Sequence, residues 1–182
     1  FYNHDVTIVG DGETAPVVTR GEGFRTQSDS ARNWYNPAMV EVQTSSDVSV
    51  SLTLKNIVFD DGGRHEGSIF AQAVSGEGHG DNTQYVQDAI IASNATQPCT
   101  ITLDEGVVLR NFGGESAIRA TNEAVIVMKS GSVIEDDSTI TTRGDSADVE
   151  DPAKGPAGAV WLQGGRFVME QGAEIRNLNG RA

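Results

Sequence analysis

Short apolar segments separated by Gly, Asn and Asp run along the chain, and one pattern of hydrophobic and polar positions recurs. Three segments, 101–111, 126–136 and 167–177, align without gaps. They share the order apolar, any residue, apolar, two polar residues, Gly, two variable residues, aliphatic, charged, and Asn or Asp. The segment 52–61 fits this order with one deletion, which puts Asn56 in the glycine column. The repeat predicts equivalent strands, one set in each unit.

A second block follows each copy of the first. Residues 116–120 match residues 158–162, and more loosely residues 67–71. No predicted strand is followed by its own hairpin partner; the same strand returns one unit later. Equivalent strands would therefore stack in parallel, about 4.8 Å apart, and aligned apolar residues would form interior columns. The clearest columns are Leu103, Met128 and Met169, and Leu109, Ile134 and Ile175.

The first block of each unit ends on an Asn or Asp. Both residue types accept left-handed backbone angles and hydrogen-bond to neighbouring amides. We therefore expect this Asx column to lie at one turn of the stack. Its members are Asp61, Asn111, Asp136 and Asn177.

The segments 6–12 and 52–60 resemble coils of the right-handed parallel β-helix in the pectate-lyase-like superfamily. More narrowly, 111–118 followed by 128–134 resembles β-helix segments of large, wall-anchored surface proteins of Gram-positive bacteria. The resemblance implies an all-β fold: a right-handed parallel β-helix of about four to five coils with three loop insertions. It also implies an extracellular, adhesin-type module on a bacterial cell surface. Because β-helices host lyases, hydrolases and non-catalytic adhesins, the fold leaves the activity open.

The resemblance covers nearly the whole chain except the insertions, so we expect residues 1–182 to form one β-helix domain. The chain begins on Phe1 rather than Met, and its last repeat stops in the middle of a turn. We therefore expect this domain to be a fragment of a longer, wall-anchored surface protein.

Composition narrows the classes of partner. The chain has 13 Lys and Arg against 26 Asp and Glu, for a net charge of −13. Such an acidic chain repels phosphate backbones and anionic lipid, which argues against nucleic-acid and electrostatic membrane binding. No run reaches the roughly 18 apolar residues of a membrane-spanning helix. The single cysteine, Cys99, leaves no intrachain disulfide, and its place before an apolar run predicts a buried structural thiol.

The first polar insertion, 19–36, contains Trp34 and Tyr35. Their rings could stack on a sugar, which makes them candidate ligand-binding residues. The alternative is that both rings pin the loop onto the coil beneath it.

The second insertion contains His79, a further ligand-binding candidate, and then a segment with helical spacing. Asp81 or Asn82 would be its N-cap, and we expect a short α-helix that covers the wall of the solenoid. The apolar positions of this helix are Tyr85, Val86, Ala89 and Ile90.

The third insertion contains Arg143-Gly144-Asp145, which resembles the integrin-recognition tripeptide. A cation and a carboxylate on a flexible tip can bridge a receptor cleft and its metal ion. The alternative is a solvated polar loop. The acidic residues of the same insertion could hold Ca²⁺, although they lack the spacing of an EF-hand. These metal candidates are Asp136, Asp137, Asp148 and Asp151.

An enzymatic alternative uses Asp60, Asp61 and His79, whose surroundings resemble two motifs of polygalacturonases. Hydrolysis of a glycosidic bond needs two carboxyl groups that flank the bond from one site. Adjacent strand residues point to opposite faces, so Asp60 and Asp61 would share a face only at a turn. The family's Asn-Thr-Asp and Arg-Ile-Lys strings have no match at suitable positions, which puts this activity in doubt.

A calcium-dependent lyase would need an Arg or Lys base, for which Arg110, Arg119 and Arg176 are candidates. However, Arg110, Glu135 and Arg176 fall in one column of the repeat. Alternating charges in such a column predict ion pairs between neighbouring coils. We therefore expect a non-catalytic surface module, a stalk or adhesin that binds a glycan or a host protein. The alternative is a polysaccharide lyase or hydrolase that acts on an acidic polysaccharide.

Overall fold

A computed structural model describes residues 4–19, 39–44, 48–60, 71–75, 99–111, 117–121, 124–135 and 159–178. Within these residues every helix or strand element is a strand, which confirms the expected all-β class. In chain order the strands are β1 (Val6–Val9), β2 (Val17–Thr19), β3 (Val40–Thr44), β4 (Val50–Lys55), β5 (Val58–Asp60), β6 (Ala71–Ser75), β7 (Cys99–Leu103), β8 (Val108–Arg110), β9 (Ile118–Thr121), β10 (Val125–Met128), β11 (Val133–Glu135), β12 (Val160–Gln163), β13 (Arg166–Met169) and β14 (Glu174–Arg176). The α-helix predicted after Asp81 lies outside the described residues.

The strands form three sheets, and the chain visits the sheets in a fixed rotation. The first sheet has the order β1-β4-β7-β10-β13, the second β2-β5-β8-β11-β14, and the third β3-β6-β9-β12. Every pairing between these strands is parallel. The predicted parallel stacking of equivalent strands is therefore confirmed.

Alternation of apolar and polar residues decides which side of each strand is buried. In β4, Val50, Leu52 and Leu54 are buried, whereas Ser51 and Thr53 are half-buried. Successive strand residues point to opposite faces, so the first three face the interior and the other two face outward. The same alternation in β7 and β10 continues the interior across the sheet.

The predicted interior columns are in register. Leu103 pairs with Met128, which in turn pairs with Met169. Leu103 and Met128 are fully buried, as expected. Met169 is 44 % exposed, so the predicted burial of this residue is wrong. The reason is position in the stack: Met169 lies in β13, the last strand of the first sheet. In the second column, Leu109, Ile134 and Ile175 are likewise in register.

The glycine column lies at the turn between the first and second sheets. Gly106, Gly131 and Gly172 have φ angles of 75°, 80° and 89°. Asn56, which the alignment places in this column, also has a positive φ, 48°. A Cβ atom on Gly172 would lie 2.6 Å from Oγ of Ser130 in the preceding turn. Both the backbone angle and the close approach of successive turns therefore favour glycine here.

The Asx column follows the strands of the second sheet. Asn111 and Asn177 have φ angles of 59° and 54°, which confirms the predicted left-handed turn at both positions. Asp61 and Asp136, the other members of this column, lie outside the described residues.

Candidate functional site

Few of the residues singled out from the sequence lie in the described part of the chain. Asp60, Arg110 and Arg176 do, together with the backbone of Arg119 in β9. The other candidates lie outside the described residues: Trp34, Tyr35, Asp61, His79, Asp136, Asp137, Arg143, Gly144, Asp145, Asp148 and Asp151.

Asp60 is the last residue of β5, and both oxygens of its carboxylate are hydrogen-bonded. Oδ2 accepts from Nε of Arg110 at 2.8 Å, and Oδ1 accepts from Nδ2 of Asn111 at 2.8 Å. The Asp60 side chain is 17 % exposed and that of Arg110 is 37 % exposed. A carboxylate held in this way joins two neighbouring units of the stack.

The column that contains Asp60 holds a second ion pair. Asp60, Arg110, Glu135 and Arg176 occupy equivalent positions on neighbouring strands of the second sheet. Arg176 donates from Nε to Oε2 of Glu135 at 2.9 Å and from Nη1 to Oε2 of Glu174 at 2.7 Å. The hydrogen bond to Glu135 is the main reason why the pKa of Arg176 is raised. The predicted ion pair between Glu135 and Arg176 is therefore confirmed, whereas Arg110 pairs with Asp60 of the unit on its other side. These contacts engage two of the candidate lyase bases.

A second charged column follows the strands of the first sheet. Lys55 ends β4, and Asp104, Lys129 and Glu170 come directly after β7, β10 and β13. Nζ of Lys129 lies 3.3 Å from Oδ2 of Asp104. The pKa of Asp104 is lowered, first by the hydrogen bond from the Glu105 amide and then by Lys129 and Lys55. In each unit the charge in this column is opposite to the charge in the Asp60 column.

Asn56 connects two turns through its side chain. Its Nδ2 group donates to the carbonyl oxygen of Gly10 at 3.1 Å and to that of Gly12 at 3.0 Å. Thus Asn56 adopts the backbone angle of the glycine column and also satisfies two carbonyls of the preceding unit. The repeat alignment placed Asn56 correctly but gave no sign of these two hydrogen bonds, because the residues 10–12 belong to no aligned copy.

The outer face of the first sheet carries two rows of small uncharged side chains. One row contains Thr7, Thr53, Thr102, Val127 and Val168 in register. The adjacent row contains Ser51, Thr100 and Val125 and ends on Arg166. At the opposite end of this row Oδ1 of Asp5 accepts hydrogen bonds from N and Oγ of Ser51, at 2.7 and 2.9 Å. The face therefore offers hydroxyl and methyl groups between charged ends, a feature that the sequence repeats alone did not reveal.

Cys99 begins β7 and faces the interior, with 3 % of its surface exposed. Burial raises the pKa of its thiol to about 12. Because the thiolate is the reactive form of cysteine, this environment makes Cys99 unreactive. The predicted buried structural thiol is confirmed.

Within the described ranges, no three His, Cys, Asp or Glu side chains are grouped so that they could hold a metal ion. In the same ranges no helix is long and apolar enough to cross a membrane. No protein-family model matches the chain, and no curated protein or solved structure shows significant similarity to it.

Proposed function

We propose that the chain is a right-handed parallel β-helix that acts as a non-catalytic extracellular module, a stalk or adhesin. The fixed rotation of the chain through three parallel sheets supports the helical arrangement. About 98 % of crossover connections between parallel strands of one sheet are right-handed, which supports the proposed handedness. A stack of this kind is rigid along its axis and suits a spacer or a scaffold for binding loops.

The observation that carries the non-catalytic part of the proposal is the double hydrogen bonding of Asp60. Arg110 and Asn111 engage both of its oxygens. The same column continues with the pair of Glu135 and Arg176. The hydrogen bonds that Arg110 and Asn111 donate to Asp60 both come from the neighbouring unit, as expected of a carboxylate that holds two units together. This supports a cohesive role for the column over the lyase or hydrolase alternative.

The partner that we propose is a glycan or a host surface protein, bound by loops that the stack carries. In proteins generally, binding residues are disproportionately frequent on loops that a rigid scaffold positions. Ca²⁺ is proposed only as an optional ligand of the third insertion. The loop residues are Trp34, Tyr35 and His79 for a glycan, Arg143, Gly144 and Asp145 for an integrin, and Asp136, Asp137, Asp148 and Asp151 for Ca²⁺.

The proposed location is the outer surface of a bacterial cell, with a longer parent protein anchored to the cell wall. The support is the resemblance of 111–118 and 128–134 to segments of Gram-positive surface proteins. Antibody raised against the chain should label intact cells of the source organism. Labelling only after lysis would contradict this location.

The first experiment separates a binding module from an enzyme. The chain is incubated with polygalacturonate and other acidic polysaccharides, with and without calcium, and new reducing ends and unsaturated products are measured. We expect no turnover in either condition. Turnover that is lost in Asp60→Asn or Asp61→Asn, but retained in Asp104→Asn, would overturn the proposal in favour of the lyase or hydrolase.

The second experiment tests the partner directly. Binding of the chain to immobilised neutral and acidic glycans is compared with binding of Trp34→Ala and Tyr35→Ala variants. We expect one of the two aromatic substitutions to weaken glycan binding at least about tenfold, as loss of a stacking platform would. Separately, adhesion of integrin-bearing cells is compared between the chain and Asp145→Glu. Equal adhesion would remove the integrin from the proposed partners.

A further inference from the structure

The outer face of the second sheet carries two rows of side chains that differ in their chemistry. In β5, β8 and β11 the middle residue of the strand is buried, so the first and third residues point outward. The first residues form an apolar row, and the third residues form a row of alternating charge. In register from β2 to β14, the apolar row contains Val17, Val58, Val108 and Val133 and ends on Glu174, and the charged row contains Thr19, Asp60, Arg110, Glu135 and Arg176.

The interior of the stack does not account for the apolar row. Val58, Val108 and Val133 are only partly buried, and they lie on the side of the sheet that faces away from the interior. In the first sheet the outward residues of β4 and β7 are Ser and Thr, so an outward position in this stack does not itself require valine. Neighbouring apolar residues on an outer face are typical of a surface that a partner covers.

We propose that a second copy of this chain packs against this face, with the two second sheets face to face and the two stacks antiparallel. The contact has a two-fold axis that lies between the sheets and runs along the strands, so both copies contribute the same residues. Such an axis puts each row opposite its own counterpart and reverses the order of the units. The inference depends on the parallel second sheet and does not require the proposed function.

The charged row is complementary to itself when the order of the units is reversed, because the sign of its charge alternates along the stack. With the axis between β8 and β11, Asp60 faces Arg176 of the second copy. Arg110 then faces Glu135 of the second copy, so every charged residue of the row meets an opposite charge. The side chains of Arg110 and Arg176 are 37 % and 50 % exposed. The hydrogen bond from Arg110 to Asp60 uses Nε, so the Nη groups of Arg110 can donate across the contact.

The apolar row forms the centre of the same arrangement. Val108 of each copy faces Val133 of the other on the two sides of the axis, and burial of these valines favours the contact. At the margin Val58 faces Glu174 of the second copy. The charge of Glu174 is balanced there by Arg176 of its own chain, which donates to Oε2 of Glu174 at 2.7 Å. The valines therefore supply apolar surface, and the charged row sets the orientation of the two copies.

The two rows together distinguish this arrangement from the alternatives. A two-fold axis along the stack would keep the order of the units and exchange the rows, so each apolar row would face charged groups of the other copy. Desolvation of those charges without partners disfavours that contact. Further units of the same chain would continue the stack along its axis and would not lie against its side. A second, antiparallel copy is therefore the occupant that both rows favour.

The size of the face determines the expected strength of the contact. Each of its five strands contributes three residues, and neighbouring strands are about 4.8 Å apart. The resulting area is smaller than the roughly 800 Å² that each partner contributes to a standard interface. We therefore expect a weak dimer, with a dissociation constant on the order of 100 µM.

The first test is the mass of the chain in solution. Sedimentation equilibrium from about 10 µM to about 1 mM should show monomers and dimers, with no longer species because a two-fold contact closes on itself. Raising the salt concentration from about 0.05 M to about 0.5 M should dissociate the dimer, because salt screens the charged row. A chain that remains monomeric at about 1 mM would overturn the proposal, and so would open-ended oligomers.

Exchanging the two members of an intrachain ion pair gives the decisive variants. Asp60→Arg with Arg110→Asp keeps opposite charges within the chain, but two reversed copies then oppose like charges at every position of the row. Glu135→Arg with Arg176→Glu has the same effect from the other half of the row. Each double variant should associate at least about tenfold more weakly than the unmodified chain.

Two combinations of these exchanges should restore the dimer. In an equimolar mixture of the two double variants, every position of the row again meets an opposite charge, so mixed dimers should form about as strongly as the dimer of the unmodified chain. The chain that carries all four substitutions is complementary to itself and should also associate. If neither combination associates, although circular dichroism of both double variants matches that of the unmodified chain, the proposed contact is wrong.

Asp104→Lys with Lys129→Asp is the matched control. It exchanges another intrachain ion pair, which follows the strands of the first sheet and lies outside the proposed contact, so association should not change. A loss of association equal to that of the second-sheet variants would overturn the proposal, because the second sheet would then have no special role.

Val108→Asp tests the same face without altering an ion pair. It puts a carboxylate against Val133 of the second copy and should weaken association at least about tenfold. The substitution is at an outward, partly buried position, and circular dichroism checks that the variant is folded. Unchanged association of the folded variant would overturn the proposal.

Discussion

Arg110 donates its Nε–H group to Oδ2 of Asp60 over 2.8 Å, although 50 positions separate the two residues in sequence. They lie on neighbouring strands, so the pair joins one unit of the stack to the next. Arg110→Met removes this guanidinium from the largely buried carboxylate of Asp60. Because Arg110 itself is partly exposed to solvent, we expect a loss of only about 1 kcal/mol in the free energy of unfolding, measured in urea.

A double-mutant cycle isolates this pair from the contacts that each residue makes elsewhere. Asp60→Asn and Arg110→Met are measured singly and together. The coupling free energy should be about 0.5–1 kcal/mol. The same cycle on Lys55 and Glu170, which are separated by two units in the other charged column, should give no coupling. Additive effects for Asp60 and Arg110 would contradict the cohesive role of the column.

Asn56 combines a left-handed backbone with two side-chain hydrogen bonds, and two substitutions separate these contributions. Asn56→Gly retains the backbone conformation and loses only the hydrogen bonds, so we expect a loss of about 1 kcal/mol. Asn56→Ala loses the same hydrogen bonds and also puts alanine into the left-handed region, which alanine adopts less readily than Gly or Asn. We therefore expect a total loss of about 2 kcal/mol in the free energy of unfolding. Urea unfolding of both variants provides the measurement. Equal stabilities of the Gly and Ala variants would show that backbone conformation does not matter at this turn.

The fixed glycine interval explains why most of the register could be predicted from sequence. Gly106 and Gly131 are 25 positions apart, and this interval alone aligns β7 with β10 and β8 with β11. The match of 116–120 with 158–162 is also confirmed, because Ile118 pairs with Val160.

The strand register predicted from the sequence is wrong between β6 and β9, where a shift of two residues preserves the hydrophobic pattern. The looser match put Ala71 against Ala120, whereas Ala71 pairs with Ile118. A shift of two residues keeps every side chain on its own face, so alternation cannot detect it. The partners of Asp60 also cannot be predicted from the pattern, which presents Asp60 only as a catalytic candidate. Which amide or guanidinium contacts a carboxylate depends on how a turn packs on its neighbour. The interval of 49 positions from Leu52 to Ile101 does not match the 25-residue repeat, so the sequence does not indicate this contact.

The lowered pKa of Asp104 predicts how the free energy of unfolding depends on pH. Its pKa is lowered in the folded chain, first by the amide of Glu105 and then by Lys129. A lowered folded-state pKa stabilises the fold above the unfolded-state pKa, 3.8, and this contribution is lost as the pH falls through the folded-state value. The difference in free energy of unfolding between the unmodified chain and Asp104→Asn should therefore be largest above about pH 5 and vanish in stronger acid.

Lys129→Met is the matched control for this dependence. It removes one cause of the lowered pKa but leaves the Glu105 amide in place, so the pH dependence attributed to Asp104 should shrink and not disappear. Unfolding in urea at intervals between pH 2 and pH 6 provides the measurement. A difference between Asp104→Asn and the unmodified chain that is the same at every pH would contradict the assignment.

The rate at which a thiol reagent labels Cys99 measures how often the interior of the stack opens to solvent. Cys99 is the first residue of β7, its side chain is buried, and burial raises the pKa of its thiol to about 12. Near pH 8 the native chain should therefore react with a thiol reagent at least a hundredfold more slowly than the urea-unfolded chain, because both access and thiolate formation are suppressed. We expect the unfolded chain to react at one thiol per chain, and the Cys99→Ala variant not to react.

Cys99 is the only cysteine, so its labelling rate at increasing urea concentrations reports opening of the interior around β4, β7 and β10. Rapid labelling of the native chain would mean that this interior opens without global unfolding, and the buried columns could not then be the rigid support that the proposed stalk requires.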